Sequence, residues 1–329
     1  MRRRVIVAPA ERIHKLPSPF LGELDGLKRS LTRRGQEITD LSRFSLTVAA
    51  PAMAVKDTAI KDIFSEYLTA AYGARINPDK QMLLLPSGRA TLLLLGTYFI
   101  DTDRVCYAPD PGFSAYRNIG LLFGGKIEKY PLYQRNDFLP NLKQFERRNS
   151  GKLKILLLNS PHNPTGAVCD KSFFLKLEQL AARENMLVVV DSSYSLNAIG
   201  NFRPPLYCEI RKRLKTGLEM FALSTNLCAP DLKLSILVGR REFIAPLARL
   251  ANSFGLIPCP TSVQAAGRFF ADIDVLQSHI EHCRAEIAAR TEIITAHLND
   301  AGIEYHPVVT TPFIWVKLKP GRVSLSFAR

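Results

Sequence analysis

KILLLNSPHNPTGAVCDKSFFLKLEQLAARENMLVVVDSSY, from Lys154 to Tyr194, decides how this chain folds. Ile155 to Leu158 is a short and wholly apolar run, which predicts a strand buried on both faces of a parallel sheet. A turn of Asn, Pro and Gly follows, and Asp170 is placed to cap a helix. Phe174, Leu177, Gln179 and Leu180 carry the helical spacing, and Leu187 to Val190 repeat the buried-strand pattern. The stretch is therefore one βαβ unit whose strands both end in polar residues, Asn159–Asn163 and Asp191–Tyr194. Ligands of open parallel sheets bind at the carboxyl ends of the strands. An amide, a carboxylate and a phenol are thus brought to one edge of one crevice.

Asn163-Pro164-Thr165-Gly166 and Asp191-Ser192-Ser193-Tyr194 resemble the NPTG and D-x-x-Y motifs of the class I/II aminotransferases, pyridoxal phosphate (PLP) enzymes of fold type I. NPTG alone is also a plain turn; the second motif on the next strand makes the pair specific. The resemblance implies an α/β fold, with a mostly parallel sheet flanked by helices and a shortened C-terminal α+β domain. It implies that Asp191 pairs with the protonated pyridine nitrogen, and that Asn163 and Tyr194 bond the ring's phenolic oxygen. A carboxylate in that place keeps the ring charged and makes it an electron sink.

Upstream, Leu83-Leu84-Leu85-Pro86-Ser87-Gly88-Arg89-Ala90-Thr91 reads as strand, turn and helix start, and helix N-termini bind anions. By resemblance, Ser87, Gly88 and Arg89 cup the cofactor phosphate. Phe113, in Tyr107-Ala108-Pro109-Asp110-Pro111-Gly112-Phe113, takes the place of the aromatic that stacks on the ring.

The resemblance breaks where the covalent chemistry belongs. In Ala222-Leu223-Ser224-Thr225-Asn226, Thr225 stands at the position of the Schiff-base lysine, and Ala222 replaces a phosphate-binding serine. Lys233 replaces the phosphate-binding arginine, as a point charge without an arginine's fork, and Ser235 replaces a glycine. A lysine there anchors the cofactor and moves a proton; a threonine hydroxyl does neither. Near the C-terminus, Ser324 takes the place of the arginine that clamps the substrate carboxylate, and Arg322 projects from the same strand face. The ring contacts are retained while the lysine and the clamp are lost. This implies a degenerate member that binds PLP non-covalently and lacks ordinary transamination, or a non-catalytic partner of an active paralogue, or an enzyme with altered chemistry in the same crevice.

The chain has 329 residues, enough for a large core, with 47% hydrophobic and 22% charged residues. We divide it into an arm and small-domain part at 1–45, a large cofactor-type domain at 46–250 and a shortened small domain at 251–329. No run approaches a membrane span, and six cysteines without C-x-x-C spacing read as reduced thiols of a cytoplasmic protein. The net charge of +14 is scattered, without a nucleic-acid-binding signature, and reads as solvated surface. The expected partners are an amino-acid-like or anionic small molecule and a second subunit, either another copy or a paralogue.

The expected elements include a helix over 56–73, a basic helix from Cys208 to Glu219, and strands at Phe221–Leu223 and Leu234–Val238. Helices follow at 241–253, 261–271 and 275–300, then a strand at Phe313–Leu318. His279, His282 and Cys283 have a metal-compatible spacing, but without a fourth ligand we read them as helix-surface residues.

Overall fold

The computed structural model describes residues 20–40, 60–146, 153–210 and 215–318. Two helices come first, α1 (Phe20–Arg33) and α2 (Ile60–Tyr72). The short helix α3 (Pro78–Gln81) leads into β1 (Met82–Leu85), and α4 (Gly88–Phe99) comes directly after. Then come β2 (Val105–Asp110), α5 (Ser114–Leu122) and β3 (Lys126–Pro131). The βαβ unit is β4 (Lys154–Asn159), α6 (Lys171–Arg183) and β5 (Met186–Asp191). It leads to β6 (Gly217–Ala222), the one-turn helix α7 (Leu223–Asn226) and β7 (Ser235–Gly239). Helices α8 (Arg241–Ser253), α9 (Pro260–Ala266) and α10 (Ile273–Asp300) complete the order.

The strands form one sheet in the order β1-β7-β6-β5-β4-β2-β3. β7 runs antiparallel to both of its neighbours, and every other pairing is parallel. β4, β5 and β6 are buried at every position, because helices cover both faces. Alternate residues supply the two sides. Ile155, Leu157, Leu187 and Val189 join one core with residues of α4, α5 and α8. Leu156, Leu158, Val188 and Val190 join another with Phe174, Leu177 and Leu180 of α6. A third core lies between the sheet and helices α2 and α10, around Phe64, Leu68, Phe221, Leu276 and Ile280.

Four expectations are corrected. The predicted basic helix from Cys208 to Glu219 is a 3₁₀ turn at Tyr207–Ile210 followed by β6. Glu219 disguised that strand; the carboxylate is buried there because Ser192 Oγ and the N–H groups of Tyr207 and Cys208 bond it at 2.6, 3.1 and 2.7 Å. In α6, Gln179 faces solvent and Glu178 faces inward, where Tyr207 Oη, Lys215 N, Thr216 N and Thr216 Oγ1 all donate to it. The strand expected at Phe313–Leu318 is a single antiparallel bridge, Tyr305 to Val316, because only Glu304–His306 lies alongside to pair with it. His279 and Cys283 are buried rather than on the helix surface. His279 Nε2 lies 2.9 Å from the Leu227 carbonyl and 3.4 Å from Cys283 Sγ.

Asp170 Oδ1 accepts from Phe173 N at 2.6 Å and opens α6 as its cap. Asp170→Ala is expected to cost about 1 kcal/mol of unfolding free energy, measured by urea denaturation.

Candidate functional site

β4 and β5 end in register, Asn159 opposite Asp191. Asn159 uses its amide to bridge the two strand ends: Nδ2 donates to the Asp191 carbonyl at 2.7 Å and Oδ1 accepts from Asn163 N at 2.6 Å. The Pro-rich turn is thereby held against the end of β5. Gly166 closes that turn with φ of 77°, a conformation that favours glycine. Its N–H meets the His162 carbonyl at 2.7 Å, and its carbonyl accepts from Thr310 Oγ1 at 2.8 Å.

The result is the convergence expected for three of the residues. Asn163 Nδ2 donates to Tyr194 Oη at 3.2 Å. Asp191 is buried beside them; its Oδ1 accepts from Ser193 N at 3.0 Å and from Ser193 Oγ, and its Oδ2 accepts from Tyr116 Oη at 2.7 Å. A carboxylate offers about four acceptor positions. Glu178 fills all four, two on each oxygen, and is therefore complete as a structural group. Asp191 Oδ2 keeps one position open. Burial pushes the Asp191 carboxyl above the usual carboxylate range, against the pull of Ser193 and Tyr116. Burial likewise pushes Tyr194 up, with the Asp191 charge adding to it, so this phenol keeps its proton.

Phe113 stands beside this group, edge-on to Tyr116 with ring centroids 5.5 Å apart. The Arg89 guanidinium lies 5.8 Å from the Phe113 centroid. Ser87 Oγ caps α4 by accepting from Ala90 N at 3.1 Å. The N–H groups of Gly88 and Arg89 are the first of the helix and have no partner within it. A Cβ on Gly88 would lie 3.3 Å from the Ala222 Cβ, so this turn abuts the end of β6. Ser235, at the glycine position, is accommodated by Thr91, whose Oγ1 lies 2.9 Å from its Oγ.

Thr225 sits on α7 where the lysine is expected. Its carbonyl accepts from Asn197 Nδ2 at 3.0 Å. Asn226, fully buried next to it, accepts from Leu196 N and donates to the Ser192 carbonyl, both at 3.2 Å. Two asparagines thus tie the Thr225 turn to the loop that carries Tyr194. Lys233 does not turn to the phosphate-type turn. Its Nζ is exposed and donates to the Pro230 carbonyl at 2.6 Å, because a long side chain on a sheet margin reaches the nearest free carbonyl. Arg322 lies outside the described residues.

Sequence reasoning passed over Tyr116, Ser193, Asn197, Asn226 and Phe313, whose ring packs 5.2 Å from that of Tyr194. The two asparagines left a signal, as buried amides among apolar neighbours. A concavity of about 780 Å³ lies instead at the C-terminal end of α10, around Thr295, Asn299 and Tyr305. Among the described residues no group of three or more His, Cys, Asp or Glu side chains can hold a metal ion, and no helix is long and apolar enough to cross a membrane.

Burial at this site has two measurable consequences. Tyr116→Phe removes a donor from a buried carboxylate and is expected to cost about 1–3 kcal/mol of stability, read from denaturation midpoints. His162 is buried, and that burial lowers its pKa from 6.5 to about 4. The unfolded chain therefore takes up this proton at a higher pH than the folded one. The contribution is complete above pH 6.5 and is lost as the pH falls towards 4, by about 1.4 kcal/mol per unit. His162→Gln should flatten the pH dependence of unfolding free energy in that window by about this slope.

The comparisons agree with this geometry. The family profile described as aminotransferase class I and II matches residues 44–328. The chain is 25% identical over 346 residues to an LL-diaminopimelate aminotransferase of Halothermothrix orenii, covering 97% of this chain and 86% of that protein. An LL-diaminopimelate aminotransferase of Dehalococcoides mccartyi is 27% identical over 270 residues, covering 82% and 69%. Among solved structures, aspartate aminotransferase from Thermus thermophilus with maleate superposes with a TM-score of 0.80 at 16% identity, covering 93% of this chain and 84% of that one. YbdL from Escherichia coli, described with a methionine aminotransferase function, has a TM-score of 0.80 at 15% identity over 98% and 87%. By the profile that matches residues 44–328, this chain belongs to the aminotransferase class I and II family.

Proposed function

We propose that this chain binds PLP, or its aminated form, reversibly and without a covalent anchor, and that it does not carry out ordinary transamination. The observation that carries this reading is the convergence of Asp191, Asn163 and Tyr194 at one strand edge with Thr225 in the lysine's place. The residues fit the cofactor. The open acceptor position on Asp191 Oδ2 suits a ring N–H. Asn163 Nδ2, through its second hydrogen, and the protonated Tyr194 hydroxyl suit an anionic ring oxygen. The N–H groups of Gly88 and Arg89 at the start of α4 suit a phosphate.

When bound, the cofactor supplies an electron sink for a carbanion. This chain's part is to hold it. Asp191 keeps the ring nitrogen protonated, Phe113 offers a face to stack on, and Arg89 adds a positive charge at the mouth. Thr225 supplies no amine and no base near neutral pH, so the proton shuttle of a lysine has no carrier at that position. The LL-diaminopimelate aminotransferase names of the relatives support an amino-acid-like ligand for the same crevice. We also propose a two-fold assembly, with another copy or with a paralogue. Phe254 and Ile257, 66% and 59% exposed before α9, support a covered surface there; a monomer in sedimentation at micromolar concentration would contradict it.

The test is borohydride reduction in the presence of PLP, with peptide mapping of the product. Wild-type protein is expected to release the cofactor on gel filtration and to give no stoichiometric adduct at any one lysine. Thr225→Lys is expected to give an adduct at residue 225 without efficient turnover, since Ala222 and Ser324 remain unchanged. Wild-type transamination at about 1–10³ s⁻¹ would contradict the reading, and Lys233 would be the first residue to substitute in search of the amine.

A further inference from the structure

Helix α10 packs across α2, and two arginines meet α2 at its C-terminal end. Arg203, in the loop between β5 and β6, donates Nη1 to the Ala71 carbonyl in the last turn of α2 at 3.2 Å. Arg284, on α10, donates Nε to the Leu196 carbonyl at 2.9 Å, while its Nη2 is buried without a partner. Neither arginine has an ion-pair partner among the described residues. Tyr67 and Tyr72 stand beside them, with ring centroids 6.2 Å apart and ring planes at 70°. The Tyr72 hydroxyl is also buried without a partner.

Both phenols lie within electrostatic reach of both arginines. Burial, and then Tyr67, push Tyr72 well above the ordinary phenol range, so its hydroxyl remains a donor. The carboxylates in range are engaged elsewhere. Glu281 accepts from Gln277 Nε2 at 3.1 Å. Glu209 accepts from Leu206 N at 2.6 Å and pairs with Lys171 at 3.5 Å. Unmet buried donors are costly and rare, and here two occur together beside unpaired positive charge. Beyond the Tyr67 hydroxyl, which touches Tyr72 only weakly, no acceptor among the described residues serves either of them.

We propose that Arg203, Arg284 and Tyr72 form a second anion site, separate from the Asp191 crevice, for a tetrahedral oxyanion. Two guanidinium groups and a hydroxyl offer more donors than a carboxylate's two oxygens use, which favours a phosphoryl group with its three or more acceptor oxygens. The source is either free inorganic phosphate or a small phosphomonoester. Arg284 also connects this site to the first: it holds Leu196, whose N–H bonds Asn226 beside Thr225.

The test is calorimetric titration of the full chain without PLP, itself a phosphomonoester; binding at the Ser87 turn is the component that Tyr72→Phe and Arg203→Gln leave unchanged. Inorganic phosphate, sulfate, glycerol phosphate and acetate are the probes. Phosphate and sulfate are expected to bind and acetate to bind more weakly. Glycerol phosphate binding tighter than phosphate identifies a phosphomonoester; equal or weaker binding identifies free phosphate. Tyr72→Phe and Arg203→Gln should each weaken phosphate binding by about tenfold. Without anion, Tyr72→Phe should melt no lower than wild type, because the hydroxyl it loses makes no hydrogen bond of ordinary geometry among the described residues. Absence of heat with every anion at tens of millimolar, so that the donors hold only water, overturns the proposal. So does phosphate binding that survives undiminished in both variants, or a lowered melting temperature for anion-free Tyr72→Phe.

Discussion

A carboxylate buried among neutral donors is the constraint around which the site is built. Asp191 sits at the end of β5 with two groups of Ser193 and the Tyr116 hydroxyl on it and, among the described residues, no cation beside it. Neutral hydrogen bonds do not fully replace water for a buried charge, and the carboxyl is accordingly pushed upward. Arrival of a protonated ring nitrogen at the open position of Oδ2 would supply the missing positive charge. The cofactor and the carboxylate would then each hold the other in its charged form. This is the difference between Asp191 and the buried Glu178, which the protein itself satisfies completely.

Around that carboxylate the proposed reading needs a scaffold that is intact at the ring contacts and altered at Thr225, and asparagines hold both parts in place. Asn159 ties the Pro-rich turn to β5, and Asn226 and Asn197 tie the Thr225 turn to the loop after Tyr194. The turn at position 225, where the resemblance implies a lysine, is therefore tied down even though its side chain has no amine. Ser235 illustrates the same pattern on the neighbouring strand. A hydroxyl stands where the resemblance implies a glycine, and Thr91 bonds it. Buried substitutions of this kind are met by partners, so the altered positions belong to a folded site rather than a collapsed one.

Much of this was legible in the sequence because β4 and β5 are uniformly apolar and end in polar residues, which points to the fold and to the edge where ligands bind. Asn163, Asp191 and Tyr194 were legible because they occupy fixed places in two motifs. What stayed hidden depends on three-dimensional register. Tyr116 reads as one more core aromatic until α5 is seen to bring its hydroxyl to Asp191. Glu219 made a buried strand resemble an exposed helix, because nothing local announces the three donors that meet it. Lys233 was legible as a residue just ahead of a strand, but a side chain with four rotatable bonds does not disclose where its ammonium ends. The placement of Arg203 and Arg284 around Tyr72 joins a loop and two helices, and no spacing in the chain records it.

The most direct measurement is the equilibrium affinity for PLP of wild-type protein and of Asp191→Asn, from absorbance titration at neutral pH. A buried amide in that place can accept from the ring but adds no negative charge. The structure predicts reversible binding by wild type and binding at least about tenfold weaker in the variant, a loss of about 1.4 kcal/mol or more. Equal affinities, or no binding by wild type, would mean that the open position on Asp191 is not a cofactor contact.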